Sequence, residues 1–127
     1  MTELVVTHHE RPWTLNAERS GGKRGHGHWA PTRNLTGAWR HAFYLLTMAQ
    51  RPESWEQAHI IVDCRLRHPL PDTGNNYPAF KAGLDGIIDA GVLPDDSAKH
   101  VLSITFNAPT KCDRGEPECM TIRVVKA

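Results

Sequence analysis

The hydrophobic and polar positions of this chain predict two amphipathic helices. Apolar side chains recur at intervals of three and four within residues 35–50, a period that places them on one face of a helix. These positions are Leu35, Trp39, Ala42, Phe43, Leu46 and Ala49. Asn34 is a suitable N-cap for this helix, and Pro52 follows its end. A second stripe at Phe80, Leu84, Ile87 and Ile88 predicts a helix that starts at Pro78, since proline is tolerated in a first turn.

Four shorter segments predict β-strands, because they are rich in β-branched residues or alternate between apolar and polar positions. They cover residues 3–7, 58–66, 100–106 and 119–126. We interpret the polar segment between the last two strands as a long hairpin connection. The order β-α-β-α-β-β predicts an α/β (α+β) fold, with two main helices packed on one mixed sheet. At 127 residues, the whole chain 1–127 has the size of one small domain.

Residues 8–33 show no core periodicity and predict a polar, basic arm that can be mobile. Residues 8–41 carry six lysines and arginines against two glutamates, so this part of the chain can meet the phosphates of a nucleic acid. A solvated loop is the alternative. For Trp13 and Trp29 we favour packing over the core, with stacking on unpaired DNA bases as the second option.

The composition also bears on where the protein works. No segment approaches the run of about 20 apolar residues that a membrane helix needs, and the N-terminus lacks the pattern of a secretion signal. Cys64, Cys112 and Cys119 lack the spacing of a metal site and predict free thiols in a reducing compartment. We therefore expect a soluble, cytoplasmic protein without a membrane partner.

Residues 72–96 hold the candidate chemistry. Lys81, Asp85 and Asp89 follow one another at i, i+4 and i+8, so they line one helix face. If acidic residues before and after this helix converge, their oxygens suit Mg²⁺, and the ammonium of Lys81 can stabilise charge on a phosphate. The alternative is an ordinary Lys81–Asp85 surface pair followed by plain turn chemistry at residues 95–97.

The run Lys-Ala-x-x-Asp-x-Ile-x-x-Ala-Gly-x-x-x-Asp-Asp at residues 81–96 resembles the signature of RusA-like Holliday junction resolvases, the crossover junction endodeoxyribonucleases. Residues 12–16, followed by the basic arm, give a weaker match. The resemblance implies a RusA-like mixed fold, a homodimer, and an endonuclease that needs Mg²⁺, with Mn²⁺ as a substitute. Its substrate would be branched DNA, a four-way junction nicked symmetrically on two strands in recombination or repair. Many relatives are encoded by phages or prophages.

The resemblance implies that Lys81 and the acidic pair Asp95 and Asp96 belong to the site. Asp72 could add a further carboxylate only if the loop ahead of the helix is laid out differently from the family's, with Asn75 or Asn76 as a neutral ligand or phosphate contact. On that hypothesis Lys81, Asp72 and Asp96 would be catalytic, and Asp72, Asp95, Asp96 and Asn75 would hold the metal. The residues of the basic stretch that we expect to contact DNA are Asn16, Arg19, Lys23, Arg24, Arg33 and Arg40.

The match departs from the family ahead of the helix. The family's motif there is Asp-x-Asp-Asn-x-x-Lys, and counting back from Lys81 places its two aspartates on Asn75 and Tyr77. Two interpretations remain: an enzyme with a rearranged metal site, or a catalytically degenerate protein that binds branched DNA or a protein partner without cleaving.

Gly83 and Gly86 lie inside the second predicted helix, where each costs about 1 kcal/mol relative to alanine. Such glycines indicate a close approach of another backbone. The sequence leaves open whether this is the sheet or a second subunit across a dimer two-fold axis.

Overall fold

The computed structural model describes residues 2–15 and 29–127, with side chains described from residue 34 onward in the second range. Its elements, in chain order, are β1 (Glu3–His8), α1 (Trp29–Met48), β2 (Ala58–Leu66), α2 (Tyr77–Asp89), β3 (Val101–Phe106), β4 (Thr110–Lys111) and β5 (Cys119–Lys126). The four predicted strands and both predicted helices are present, so the α+β prediction is confirmed.

The five strands form one mixed sheet in the order β1-β5-β2-β3, with β4 pairing to the end of β2. β5 is antiparallel to both β1 and β2, whereas β3 and β4 are parallel to β2. The predicted hairpin between β3 and β5 is therefore wrong, because β2 lies between these two strands. Helix α2 connects β2 to β3 as a crossover, so β3 runs parallel to β2 on one side of it. Because β5 pairs with the other side of β2, the segment after β3 has to pass β2 before β5 begins.

The core lies between the helices and one face of the sheet. Every second residue of β2 and β5 is buried there, including Ile60, Val62 and Ile122, and the helices contribute Phe43 and Phe80. The alternate residues of these strands face the other way and are mostly half-buried or exposed. This period of two follows from the pleat of a strand.

Helix α1 begins at Trp29, so the predicted N-cap at Asn34 and the predicted end of the arm at residue 33 are both wrong. Pro31 is compatible with this earlier start, since an N–H in the first turn has no helical acceptor. The buried stripe of α1 also differs from the predicted one. It includes Thr47, whose hydroxyl donates to the Phe43 carbonyl at 2.6 Å, whereas Leu46 is exposed.

The first part of the predicted arm packs against the domain. Trp13 is buried, and its ring meets that of Trp39 edge-on, with centroids 5.4 Å apart. The buried side-chain amide of Asn76 donates to the carbonyls of Pro12 and Trp13 at 3.0 and 3.1 Å. Trp13 thus packs over the core as predicted, while the side chain of Trp29 lies outside those described.

The two glycines of α2 make close approaches within the chain. A Cβ on Gly83 would lie 2.9 Å from Cδ1 of Ile122 on β5, and one on Gly86 would lie 2.2 Å from the carbonyl oxygen of Arg40 on α1. Gly83 therefore allows α2 to approach the sheet, and Gly86 allows the two helices to touch. Neither glycine needs a second subunit to explain it.

The three cysteines are buried free thiols. Burial raises the pKa of the Cys64 thiol to about 12, with smaller contributions from Cys119 and Asp63. No helix in the described ranges is both long and apolar enough to cross a membrane.

Candidate metal and phosphate site

The ammonium of Lys81 lies between two carboxylates. Its Nζ is 2.5 Å from Oδ1 of Asp85 and 2.5 Å from Oδ2 of Asp96. Helix α2 places Asp85 one turn after Lys81 on the same face, and Asp96 comes from the turn that follows the helix. The structure thus brings Lys81 and Asp96, which are 15 positions apart in the sequence, into direct contact.

Electrostatics keep Lys81 protonated. Its partial burial acts to lower the pKa, but hydrogen bonds and charge attraction from Asp85 and Asp96 outweigh this effect and raise the pKa. One ammonium against two carboxylates leaves an excess of negative charge. All three side chains are 30–40% exposed, so a solvated ligand can reach them.

The carboxylate oxygens of Asp85 and Asp96 that contact Lys81 lie no more than about 5 Å apart, because each is 2.5 Å from the same Nζ. Mg²⁺ binds oxygens at roughly 2.1 Å, so two of its ligand oxygens lie at most about 4.2 Å apart, and a small side-chain movement would let both carboxylates bind one ion. Mg²⁺ typically takes one or two carboxylates and completes its sphere with waters and phosphates, so this donor set fits it. The sequence did not assign Asp85 to the metal; the signal that could have done so is its i, i+4 spacing from Lys81.

Asp95, although adjacent to Asp96, faces different groups. Its Oδ1 accepts a hydrogen bond of 2.8 Å from the backbone N–H of Ser97, and its Oδ2 lies 4.0 Å from Nε2 of His100. The hydrogen bonds with Ser97 lower the pKa of this carboxyl. The turn interpretation therefore describes Asp95, whereas Asp96 contacts Lys81.

Asp72 and Asn75 line a separate depression of about 360 Å³ together with Arg11 and Thr14. The N–H of Asn75 donates to the carbonyl of Asp72 at 3.0 Å, and its own carbonyl accepts from Leu15 at 2.9 Å. Among residues 2–15 and 29–127, no group of three or more His, Cys, Asp or Glu side chains is placed to hold a metal ion. Asp72, Asp95 and Asp96 therefore do not form one metal-binding group among the residues that the structure describes.

The other positions of the motif ahead of α2 have structural roles. The side-chain amide of Asn76 donates to the carbonyls of Pro12 and Trp13, so it is not available to bind a phosphate. The ring of Tyr77 packs near Phe80 and Phe106, with centroids 5.9 and 6.1 Å away.

Among the candidate DNA-binding residues, only the side chain of Arg40 is described. Its Nε and Nη2 donate to the two carboxylate oxygens of Asp89 at 2.7 and 2.8 Å, a bidentate pair that lowers the pKa of Asp89. Arg40 therefore already has an acidic partner within the chain. The backbone of Arg33 lies in α1. The predictions for Asn16, Arg19, Lys23 and Arg24 lie outside the described residues.

No family model matches this sequence, and no curated protein matches it either.

Proposed function

We propose that this chain is a structure-selective, Mg²⁺-dependent endonuclease of the RusA-like type that acts on branched DNA. The observation that carries the proposal is the contact of Lys81 with both Asp85 and Asp96. The motif at residues 81–96, which resembles the RusA-like signature, brings together an ammonium and two carboxylates, groups of the kind that contact a phosphate and bind Mg²⁺.

In this proposal, Asp85 and Asp96 hold the metal ion and Lys81 contacts the phosphate. When bound, Mg²⁺ supplies an activated water and offsets the negative charge that develops on the scissile phosphate. Lys81 donates from Nζ to a phosphate oxygen or to the leaving oxygen, a role for which its raised pKa keeps it protonated. With a metal bound, Asp85 and Asp96 would each give up part of their contact with Lys81, and the ammonium would then be able to donate to the phosphate.

The test uses a synthetic four-way junction and a duplex of the same length, each incubated with the full chain and Mg²⁺ or Mn²⁺. We expect nicking of the junction in preference to the duplex. Asp96→Asn and Asp85→Asn should abolish nicking while retaining junction binding measured without metal. Lys81→Met should slow nicking by about 10²–10³-fold, as expected for loss of one charge-stabilising donor.

Asp89→Asn is the matched control, because it makes the same chemical change one turn further along α2, where the carboxylate pairs with Arg40. It should nick like the wild type. If the wild-type chain nicks no junction with either metal, or if Asp96→Asn nicks as fast as Asp89→Asn, the endonuclease proposal is wrong.

A second candidate function is binding of branched DNA, or of a protein partner, without cleavage. It is favoured by the separate positions of Asp72 and Asp95, which leave two acidic residues at the group around Lys81. This candidate predicts salt-sensitive binding that prefers the junction to the duplex in a gel-shift assay, together with no metal-dependent nicking.

A further inference from the structure

A cavity of about 510 Å³ lies at the carboxyl end of β2, and none of its lining residues belongs to the group around Lys81. Three cationic residues and one acidic residue line it, together with the buried Cys112. The charged residues are Arg67, Lys111, Arg114 and Asp113. Its volume is within the range of ligand pockets, roughly 300–1,000 Å³.

The sheet and a tight turn place the three cations around this cavity. Arg67 directly follows β2, and the parallel pairing of β4 sets Lys111 beside Leu66. Arg114 lies at the corner of a turn that the Glu116 N–H closes by donating to the Asp113 carbonyl at 3.0 Å. Gly115, the next residue, has φ +91°, a conformation that glycine adopts without strain.

The guanidinium of Arg67 is oriented by its neighbours. Its Nη2 donates to the backbone carbonyl of Glu116 at 2.6 Å, and its Nη1 lies 3.5 Å from the carboxylate of Glu118. Glu118 is shared, since the same carboxylate also makes a close ion pair with Arg11. The side chain of Arg67 is thus held by the neutral carbonyl of Glu116 and by the carboxylate of Glu118, which it shares with Arg11.

Within residues 2–15 and 29–127, the other two cations of the cavity, Lys111 and Arg114, make no ion pair. The nearby carboxylate of Glu116 accepts from the Asp113 N–H at 2.8 Å and pairs with Arg65 at 3.2 Å. The cavity therefore keeps an excess of positive charge, which favours an anion.

We propose that this cavity binds a phosphate group, contacted by Arg67, Lys111 and Arg114. Two guanidinium groups suit a tetrahedral oxyanion, because each presents several N–H donors in a fixed plane. The carboxyl ends of parallel strands are also where ligands commonly bind in sheets with crossover helices. The bound phosphate is either part of a nucleic-acid backbone or a free inorganic phosphate ion. In the first case the inference rests on the proposed function.

The first experiment titrates inorganic phosphate into the isotopically labelled full chain and follows amide NMR shifts, with chloride at the same ionic strength as the reference. We expect saturable shifts at residues 111–115. The double variant Lys111→Gln/Arg114→Gln should lose them. The matched control Lys99→Gln/Lys126→Gln should keep them, because it removes two exposed lysines at the opposite end of β2. Unsaturable shifts in the wild type, or equal phosphate affinity in the double variant, would overturn the proposal.

The second experiment separates the two sources of phosphate. If the site holds a DNA backbone, junction DNA should displace inorganic phosphate. The double variant should then reduce the slope of log K against log salt by about 0.9 for each lost phosphate contact. Phosphate binding that DNA does not displace, with an unchanged salt slope, assigns the cavity to a free phosphate.

The junction-nicking assay reports on the proposed function independently. Nicking without phosphate binding at residues 111–115 refutes the inference alone. Phosphate binding without nicking refutes the endonuclease alone.

Discussion

Replacing Gly86 by alanine should force the two helices apart. The new Cβ would lie 2.2 Å from the carbonyl oxygen of Arg40, 2.9 Å from the amide nitrogen of Tyr44 and 3.0 Å from Cβ of Phe43. These atoms belong to the backbone of α1 or are attached directly to it, so no side-chain rotation removes the overlap. Restoring van der Waals contact requires α1 to move away by about 1 Å.

The size of the effect follows from the contacts that such a movement opens. A gap of up to about 1 Å loses a quarter to a half of the dispersion energy of each atom pair, which is roughly 0.1–0.2 kcal/mol at optimal separation. Every ten or so atom pairs that open therefore lose about 0.25–1 kcal/mol. Overpacked cores in general lose about 1–3 kcal/mol, and an overlap with backbone belongs at the upper end of that range. The helix propensity of alanine offsets about 1 kcal/mol. We expect a net loss of about 1–2 kcal/mol in the free energy of unfolding.

Urea unfolding and thermal melting followed by circular dichroism measure this loss. Gly86→Ala should lower Tm by about 3–8 °C. Gly37→Ala is the matched control, because Gly37 is an exposed position of α1 where a Cβ meets nothing within 4 Å. It should raise the stability by up to about 1 kcal/mol through helix propensity alone. If both variants shift Tm equally, the helices do not approach each other as described.

Two further substitutions test individual contacts by urea unfolding. Asn76→Ala removes the donor to the carbonyls of Pro12 and Trp13 and should lower the free energy of unfolding by about 1–3 kcal/mol. It should also change the near-ultraviolet signal to which Trp13 contributes. An unchanged signal at wild-type stability would contradict the contact. Asp89→Asn removes the Arg40 pair, which is more than one-third exposed on both sides and should contribute less than about 1 kcal/mol. The pKa of Asp89 is lowered in the folded state, mainly by its hydrogen bonds with Arg40. The stability that this pair adds is therefore present above the ordinary aspartate pKa and is lost as the pH falls through the lowered pKa. The two proteins should therefore differ at neutral pH and converge in acid, and a difference independent of pH would refute this.

The elements of the fold were largely predictable, because their signals are local. Strand β2 has the predicted bounds, 58–66, since it combines β-branched residues with alternating burial. The start of α1 was missed because residues 29–33 carry no apolar stripe, and a proline there fits either a loop or a first helical turn. Strand β4 was missed because two residues give no periodicity.

The candidate site was predictable in part. The spacing of Lys81 and Asp85 follows from one helical turn, and the motif named both Asp95 and Asp96 as candidates beside Lys81. That Asp95 turns towards Ser97 while Asp96 meets Lys81 depends on the path of the chain after α2. Adjacent residues of the same type give the sequence no means of distinguishing these two roles.

The sequence by itself determined the two helices, the four longer strands and the helix face that carries Lys81 and Asp85, because these depend on hydrophobic period and on residues a few positions apart. Only the tertiary structure decided that β5 lies between β1 and β2, that Arg40 pairs with Asp89, and that a cavity with excess positive charge forms at the end of β2. Each of these joins segments far apart in the chain. Their partners are selected by packing and charge in three dimensions, which a pattern along one segment does not contain.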